Sequence, residues 1–263
     1  MKKEEKELIY NLLKVTDSYI NGYQRDCFSA SPSFSDDEVK EEVQASAEKP
    51  TTLYQTVSIT PTNVAPLPTS ESHIPNGLTM EELNNKIYRC TRCGLARTRN
   101  NVVPGEGVPH PDVLVIGEGP GSDEDMQGKP FVGKAGVLLD KMLNSIQLDR
   151  HTNCFIGNIV KCRPPENRNP FPDEQDTCFP FLETQIHILK PKMILCLGKI
   201  AIEKMLGQKL SITANHGLFY DYKGIPMMAT YHPSALLRNP ELKRPAWEDL
   251  KGFRIKLNEI RGI

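Results

Sequence analysis

The sequence predicts an α/β fold, a three-layer α/β/α sandwich around a mainly parallel four-stranded sheet, and three observations predict it. Four short apolar runs, Val113–Ile116, Cys154–Val160, Met193–Leu197 and Pro226–Tyr231, read as strands buried on both faces. Segments with helical spacing alternate with them, at about 134–147, 173–189, 199–206 and 245–260. The unusual residues Glu118, Asn158, Gly198 and His232-Pro233-Ser234 fall at the carboxyl ends of those runs, where open α/β sheets bind ligands. Four strand ends therefore share one crevice.

At 263 residues with 38% apolar and 25% charged content, the chain suits one domain plus an appendage. Residues 1–80 hold 7 Lys+Arg against 12 Asp+Glu, and residues 81–263 hold the remaining 25 against 21, so the net charge of −1 divides into −5 and +4. A mildly basic body permits contact with a polyanion without proving it. No run approaches the roughly 18 apolar residues of a membrane span, and the start, MKKEEKELIY, lacks the apolar core of a secretory signal. The expectation is a cytoplasmic, nucleoid-associated monomer without a membrane partner. Seven cysteines, two of them clustered as Cys90-x-x-Cys93, point to a reduced compartment with a metal site rather than a disulfide framework.

In chain order, Leu8, Ile9, Leu12, Leu13, Val15 and Ile20 suit a short amphipathic helix that docks on the body or on a protein partner. From about Cys27 to Pro75 the Ser, Thr, Pro, Glu and Val content is that of a disordered linker. The division expected is thus an extension over 1–76 and a catalytic body over 77–263. Thr79 with Glu82 three residues on forms a capping box for a helix that leads into Cys90. Tyr220 to Ile225, before the last strand, suggests a hairpin and one antiparallel member in the sheet.

The first strand ends in Gly117-Glu118-Gly119-Pro120-Gly121, a turn that presents a carboxylate and lets a flat ligand approach the backbone. It is not a dinucleotide fingerprint. That motif needs Gly where Ser122 stands, and Glu118, Asp123, Glu124 and Asp125 repel a pyrophosphate. Phe131 is placed to offer a ring face to a flat heterocycle, and Asn158 a donor and an acceptor to a base edge. Cys90, Cys93, Cys162 and Cys178 supply four thiolates from two segments, as either tetrahedral zinc or an iron–sulfur cluster requires; spacing does not choose between them. Cys154 and Cys196, in apolar strands, read as small hydrophobes. His232 follows a strand and faces Glu118 across the crevice. Leu236, Leu237 and Arg238 sit in a Pro-bounded loop, where apolar exposure suits a wedge into stacked bases.

The segments Gly117–Gly121, Gly128–Gly136, Asn158–Pro165 and His232–Pro240 resemble the family 4 uracil-DNA glycosylases, over about residues 80–260. The resemblance implies a uracil-DNA glycosylase-like fold and a [4Fe-4S] cluster on Cys90, Cys93, Cys162 and Cys178. It implies that Glu118 positions or activates water and that Gly117 and Gly119 line the pocket by backbone. Phe131 would stack on uracil, Asn158 would read its O4 and N3 edge, His232 would donate toward O2, and Leu236, Leu237 and Arg238 would enter the duplex. The acidic residue at Glu118 argues against the family 5 enzymes, and no Lys/Arg-rich insertion follows Cys162. The function implied is monofunctional excision of uracil from single- or double-stranded DNA, leaving an abasic site. The competing readings are a catalytically silent iron–sulfur DNA- or polymerase-associated module and a zinc-stabilised nucleotide-binding enzyme.

Overall fold

A computed structural model describes residues 77–263. The helix and linker expected within 1–76 lie outside the described residues. Helix α1 (Met80–Tyr88) opens where the capping box places it: the Thr79 hydroxyl accepts from the Glu82 N–H, and the Glu82 carboxylate accepts from the Thr79 N–H at 2.9 Å. Its Leu83 and Ile87 are buried against the long helix Pro172–Leu189.

The sheet contains strands β1 (Glu106–Gly107), β2 (Val113–Gly117), β3 (Cys154–Asn158), β4 (Met193–Leu197), β5 (Phe219–Tyr222) and β6 (Ile225–Thr230) in the spatial order β1-β3-β2-β4-β6-β5. The expected parallel four are its centre, β3-β2-β4-β6, and β2, β3 and β4 are buried at every residue. Such strands read as continuous apolar runs because helices cover both faces. The strand count of four is corrected to six. The Tyr220–Ile225 hairpin adds antiparallel β5 at one edge, and the two-residue β1, too short to leave a periodic signal, adds an antiparallel partner to β3 at the other.

Helices α2 (Ser122–Gln127), α3 (Lys134–Ser145), α4 (Pro172–Leu189), α5 (Lys199–Leu206), α6 (Ile212–Asn215), α7 (Pro233–Arg238) and α8 (Lys243–Arg261) complete the layers. One core, with Leu114, Ile116, Leu182, Ile194 and Ile202, lies under α1, α4 and α5; the other, with Val113, Val115, Leu139, Leu195 and Phe253, lies under α3 and α8. No helix among the described residues is long and apolar enough to cross a membrane. Strand register sets the position of the cleft. Gly117 pairs with Asn158 and Leu197 with Thr230, so the carboxyl ends of all four parallel strands finish level, on one edge of the sheet.

Candidate active site

The floor of the site is a three-way contact at the end of β2. A Cβ on Gly117 would lie 2.6 Å from the Phe131 ring and would strike the Asn158 side-chain oxygen, so only glycine admits both groups against the backbone. Asn158 is 1% exposed, and its Oδ1 is buried without a hydrogen-bond partner. An orphaned amide oxygen costs about 1–3 kcal/mol, and such a cost is tolerated where a ligand supplies the missing donor. The Asn158 backbone carbonyl is satisfied. It accepts from the fully buried Lys161 ammonium at 2.9 Å, which also donates to Gln185 at 2.7 Å.

Phe131 holds its ring there from a backbone with φ of 51°, a left-handed conformation that costs a non-glycine residue about 1–3 kcal/mol. Two charged side chains over-determine it. From the carbonyl side, the buried Arg150 guanidinium donates to Pro130 O and Phe131 O, both at 2.9 Å, and is itself paired with Asp140 at 2.7 Å. From the amide side, Glu124 Oε1 accepts from Val132 and Gly133 at 2.9 and 3.0 Å, while its Oε2 accepts from Gly121 at 3.1 Å. Glu124 thereby ties the glycine turn to the Phe131 segment. Helix α3 seals the arrangement, because a Cβ on Gly136 would collide with the Phe131 carbonyl and lie 2.9 Å from its Cα.

Glu118, just past the carboxyl end of β2, and His232, just past that of β6, line the same cleft. Burial alone pushes the Glu118 carboxyl above the usual carboxylate range. His232 stands 5.6 Å from Phe131, ring to ring, at a 34° tilt. Burial, seconded by the positive charge of Arg238, pushes the His232 imidazole down to about 4. The ring is therefore neutral near physiological pH, and its tautomer follows from its neighbours. The Ser234 N–H donates to His232 Nδ1 at 3.2 Å, so Nδ1 carries the lone pair and Nε2 carries the proton.

Together these groups line a cleft of about 400 Å³, whose rim includes Arg168, Lys199 and Arg238. The structure divides the expected wedge. Residues 233–238 form helix α7 rather than a loop, started by Pro233 at its first position, and Leu236 is 2% exposed in the core beneath it, so Leu236 cannot enter a duplex. Leu237 is 46% exposed and Arg238 stands at the rim.

Behind β3, Cys90, Cys93, Cys162 and Cys178 line one recess together with Lys161 and Arg99. The Arg99 guanidinium donates to Cys162 Sγ at 3.0 Å and the Lys161 N–H to Cys178 Sγ at 3.3 Å, contacts that suit anionic sulfurs. Without a metal, burial pushes the Cys178 thiol up to about 11. No three His, Cys, Asp or Glu side chains among the described residues are grouped to hold a single ion. Four thiolates around one recess are what either a tetrahedral zinc or an iron–sulfur cluster requires. Cys154 and Cys196 are buried strand thiols, as expected.

Three working residues leave little trace in the sequence. Glu124 reads as one more acid near the glycine turn, Arg150 lies in an unremarkable polar loop, and Ser234 reads only as a turn residue after His232-Pro233. Glu124 alone was legible, as an acid in the first turn of a helix after a glycine-rich segment. Arg150 acts across 19 and 20 residues of sequence, which no local pattern reveals.

The uracil DNA glycosylase superfamily model matches residues 104–251. The Type-4 uracil-DNA glycosylase of Sulfurisphaera tokodaii is 42% identical over 183 residues, which cover 66% of this chain and 83% of that protein. The Type-4 enzyme of Thermotoga maritima is 44% identical over 176 residues, 65% of this chain and 91% of the relative. That of Archaeoglobus fulgidus is 37% identical over 191 residues, 70% and 94% respectively.

The His232 assignment is measurable by imidazole ¹⁵N resonances. They should report a neutral ring protonated at Nε2 near neutral pH, with a midpoint at about 4 rather than 6.5. The folded value lies below the unfolded one, so the associated stability is full above 6.5 and is lost as pH falls from 6.5 toward 4. A midpoint near 6.5 would contradict the burial argument, and a neutral ring protonated at Nδ1 would contradict the tautomer.

Proposed function

The chain belongs to the uracil DNA glycosylase superfamily, and we infer that its cleft excises uracil from DNA by hydrolysing the N-glycosidic bond. The observation that carries this reading is the orphaned Asn158 amide beside the Phe131 ring, a buried base-edge reader with a stacking surface and no partner of its own. A glycosylase reaches the bond only after the nucleotide leaves the stack. In the cleft, uracil would lie on Phe131, a contact worth about 1–3 kcal/mol. Its N3–H would donate to Asn158 Oδ1, and the Asn158 amide N–H would donate to its O4.

As the C1′–N1 bond breaks, negative charge gathers on the base and positive charge on the sugar. His232 Nε2–H is the donor for uracil O2, and a neutral donor suits an anion formed at moderate pH; such donors are worth about 3–4 kcal/mol. Glu118 faces the cationic sugar, orients water and takes its proton as oxygen bonds to C1′. Free uracil and an abasic site result. Among the described residues, the lysines near the site are engaged elsewhere: Lys161 donates to Asn158 and Gln185, and Lys199, which lines the cleft, lies 3.7 Å from Glu203. Gly117 and Gly119 line the pocket by backbone, Leu237 with Arg238 fills the vacated stack, and one chain completes the site.

The four cysteines lining one recess, together with the likeness to the Type-4 enzymes, support a [4Fe-4S] cluster on Cys90, Cys93, Cys162 and Cys178. When bound, the cluster would supply a tie through four thiolates between the segment after α1, the end of β3 and α4. Residues 1–76 belong, in this reading, to an extension outside the catalytic domain of 77–263.

Release of free uracil from a defined oligonucleotide tests the function, and its absence from intact protein would overturn it. Glu118→Gln should lower the single-turnover rate by roughly 10²–10⁴ while DNA binding persists, since binding rests mainly on phosphate contacts. The acid limb of the rate profile should lie above the ordinary carboxylate value of 4.5 and disappear in Glu118→Gln. An unchanged limb would assign it to another group. The cluster has its own readout: the purified protein should carry iron with broad visible absorbance, and Cys178→Ser should lose both. Colourless protein with stoichiometric zinc would refute that assignment.

A further inference from the structure

The first turn of α8 runs against ordinary helix electrostatics. The amino end of a helix carries partial positive charge and favours acidic residues, yet α8 has none in its first turn and places Lys243 and Arg244 there. It continues directly from the turn Pro240–Leu242, where Asn239 accepts from the Glu241 N–H and the Lys243 N–H donates to Pro240 O. Neither cation has an ion-pair partner among the described residues, and both are exposed. Four residues beyond Lys243, on the same face, stands Trp247, 40% exposed, with the Lys251 ammonium 6.0 Å from its ring centre. The core does not need this indole outside: the inner face of α8 buries Ala246, Leu250, Phe253 and Leu257. Glu241 and Glu248 are the acidic groups nearby, and Glu248 is engaged by Lys251 at 2.7 Å.

Position gives this face a partner. Arg238 lines the cleft, a single turn of Pro240–Leu242 follows, and Lys243 begins α8. Five residues span at most about 17 Å, within five nucleotide steps of about 3.4 Å each on one duplex strand. We propose that Lys243, Arg244 and Trp247 form a second DNA contact that takes the strand flanking the flipped nucleotide, phosphates on the cations, a base or sugar against the indole. The proposal rests on the uracil-excision reading. It explains why two cations and a large apolar ring share a surface that folding alone would make acidic and polar.

Trp247 is the only tryptophan in the 263-residue chain, so its emission reports this face directly. The full-length protein is titrated with an oligonucleotide carrying one central abasic-site analogue, which cannot be hydrolysed. Emission should be quenched on binding, and trimming the oligonucleotide on one flank only should abolish the quench. Lys243→Ala and Arg244→Ala should each raise KM for uracil-DNA roughly three- to tenfold and reduce the slope of log affinity against log salt by about 1. Inhibition by free uracil, which needs only the cleft, should be unchanged in both. Normal uracil release with no quench and unaltered salt slopes would overturn the contact and leave the excision reading intact. Quenching without uracil release would do the reverse. Emission already blue-shifted and shielded from a soluble quencher in the free protein, and indifferent to DNA, would show that another part of the chain covers the face and would also overturn the proposal.

Discussion

The left-handed backbone of Phe131 is the constraint on which the rest of the site depends. A ring delivered from an ordinary strand or helix position would not lie against Gly117 with the Asn158 amide beside it. Holding it there takes a guanidinium on two carbonyls, a carboxylate on three N–H groups, and two glycines that supply no Cβ where the ring and carbonyl must pass. The buried Arg150 is itself neutralised by Asp140, so its desolvation is offset by a short ion pair as well as by the carbonyls. Strain of this kind persists only where the surroundings over-determine it, and such places are commonly functional.

The charges of the cleft follow the same logic of pre-set geometry. His232 is kept neutral by burial and oriented by the Ser234 N–H, so its Nε2 carries the proton before any ligand arrives. Glu118 is left with a raised carboxyl and no counterion, which suits a group whose partner is a transient cation. Asn158 keeps an unmet acceptor. Each group is thus unsatisfied in the sense a flipped uracil would repair. The cysteine recess is coupled to this floor at short range: Lys161 contacts Cys178 through its backbone and Asn158 through its ammonium. Loss of packing at the recess would be felt at Asn158, three positions from Lys161.

Much of this was legible in the sequence. The four central strands are unbroken apolar runs, so their parallel sheet and the convergence of Glu118, Asn158 and His232 at one edge followed from periodicity. The Thr79–Glu82 capping box was read to the residue. What escaped was set by tertiary contact. The two residues of β1 have no pattern of their own, and Leu236 reads as exposed until helix α7 turns it inward. Arg150 and Ser234 act through geometry alone. Of the three residues proposed as a wedge, Leu236 is buried and Leu237 is exposed, with Arg238 lining the cleft.

The central claim is that Asn158 reads the uracil edge, and exchanging its amide for a carboxylate tests it most directly. Asn158→Asp removes the N–H that donates to uracil O4 and offers acceptors in its place, which suit the amino group of cytosine. Uracil release should fall by roughly 10² or more, and measurable cytosine release should appear from otherwise identical oligonucleotides. Uracil release within about twofold of the unaltered protein, with no gain on cytosine, would contradict the account and move recognition elsewhere in the cleft.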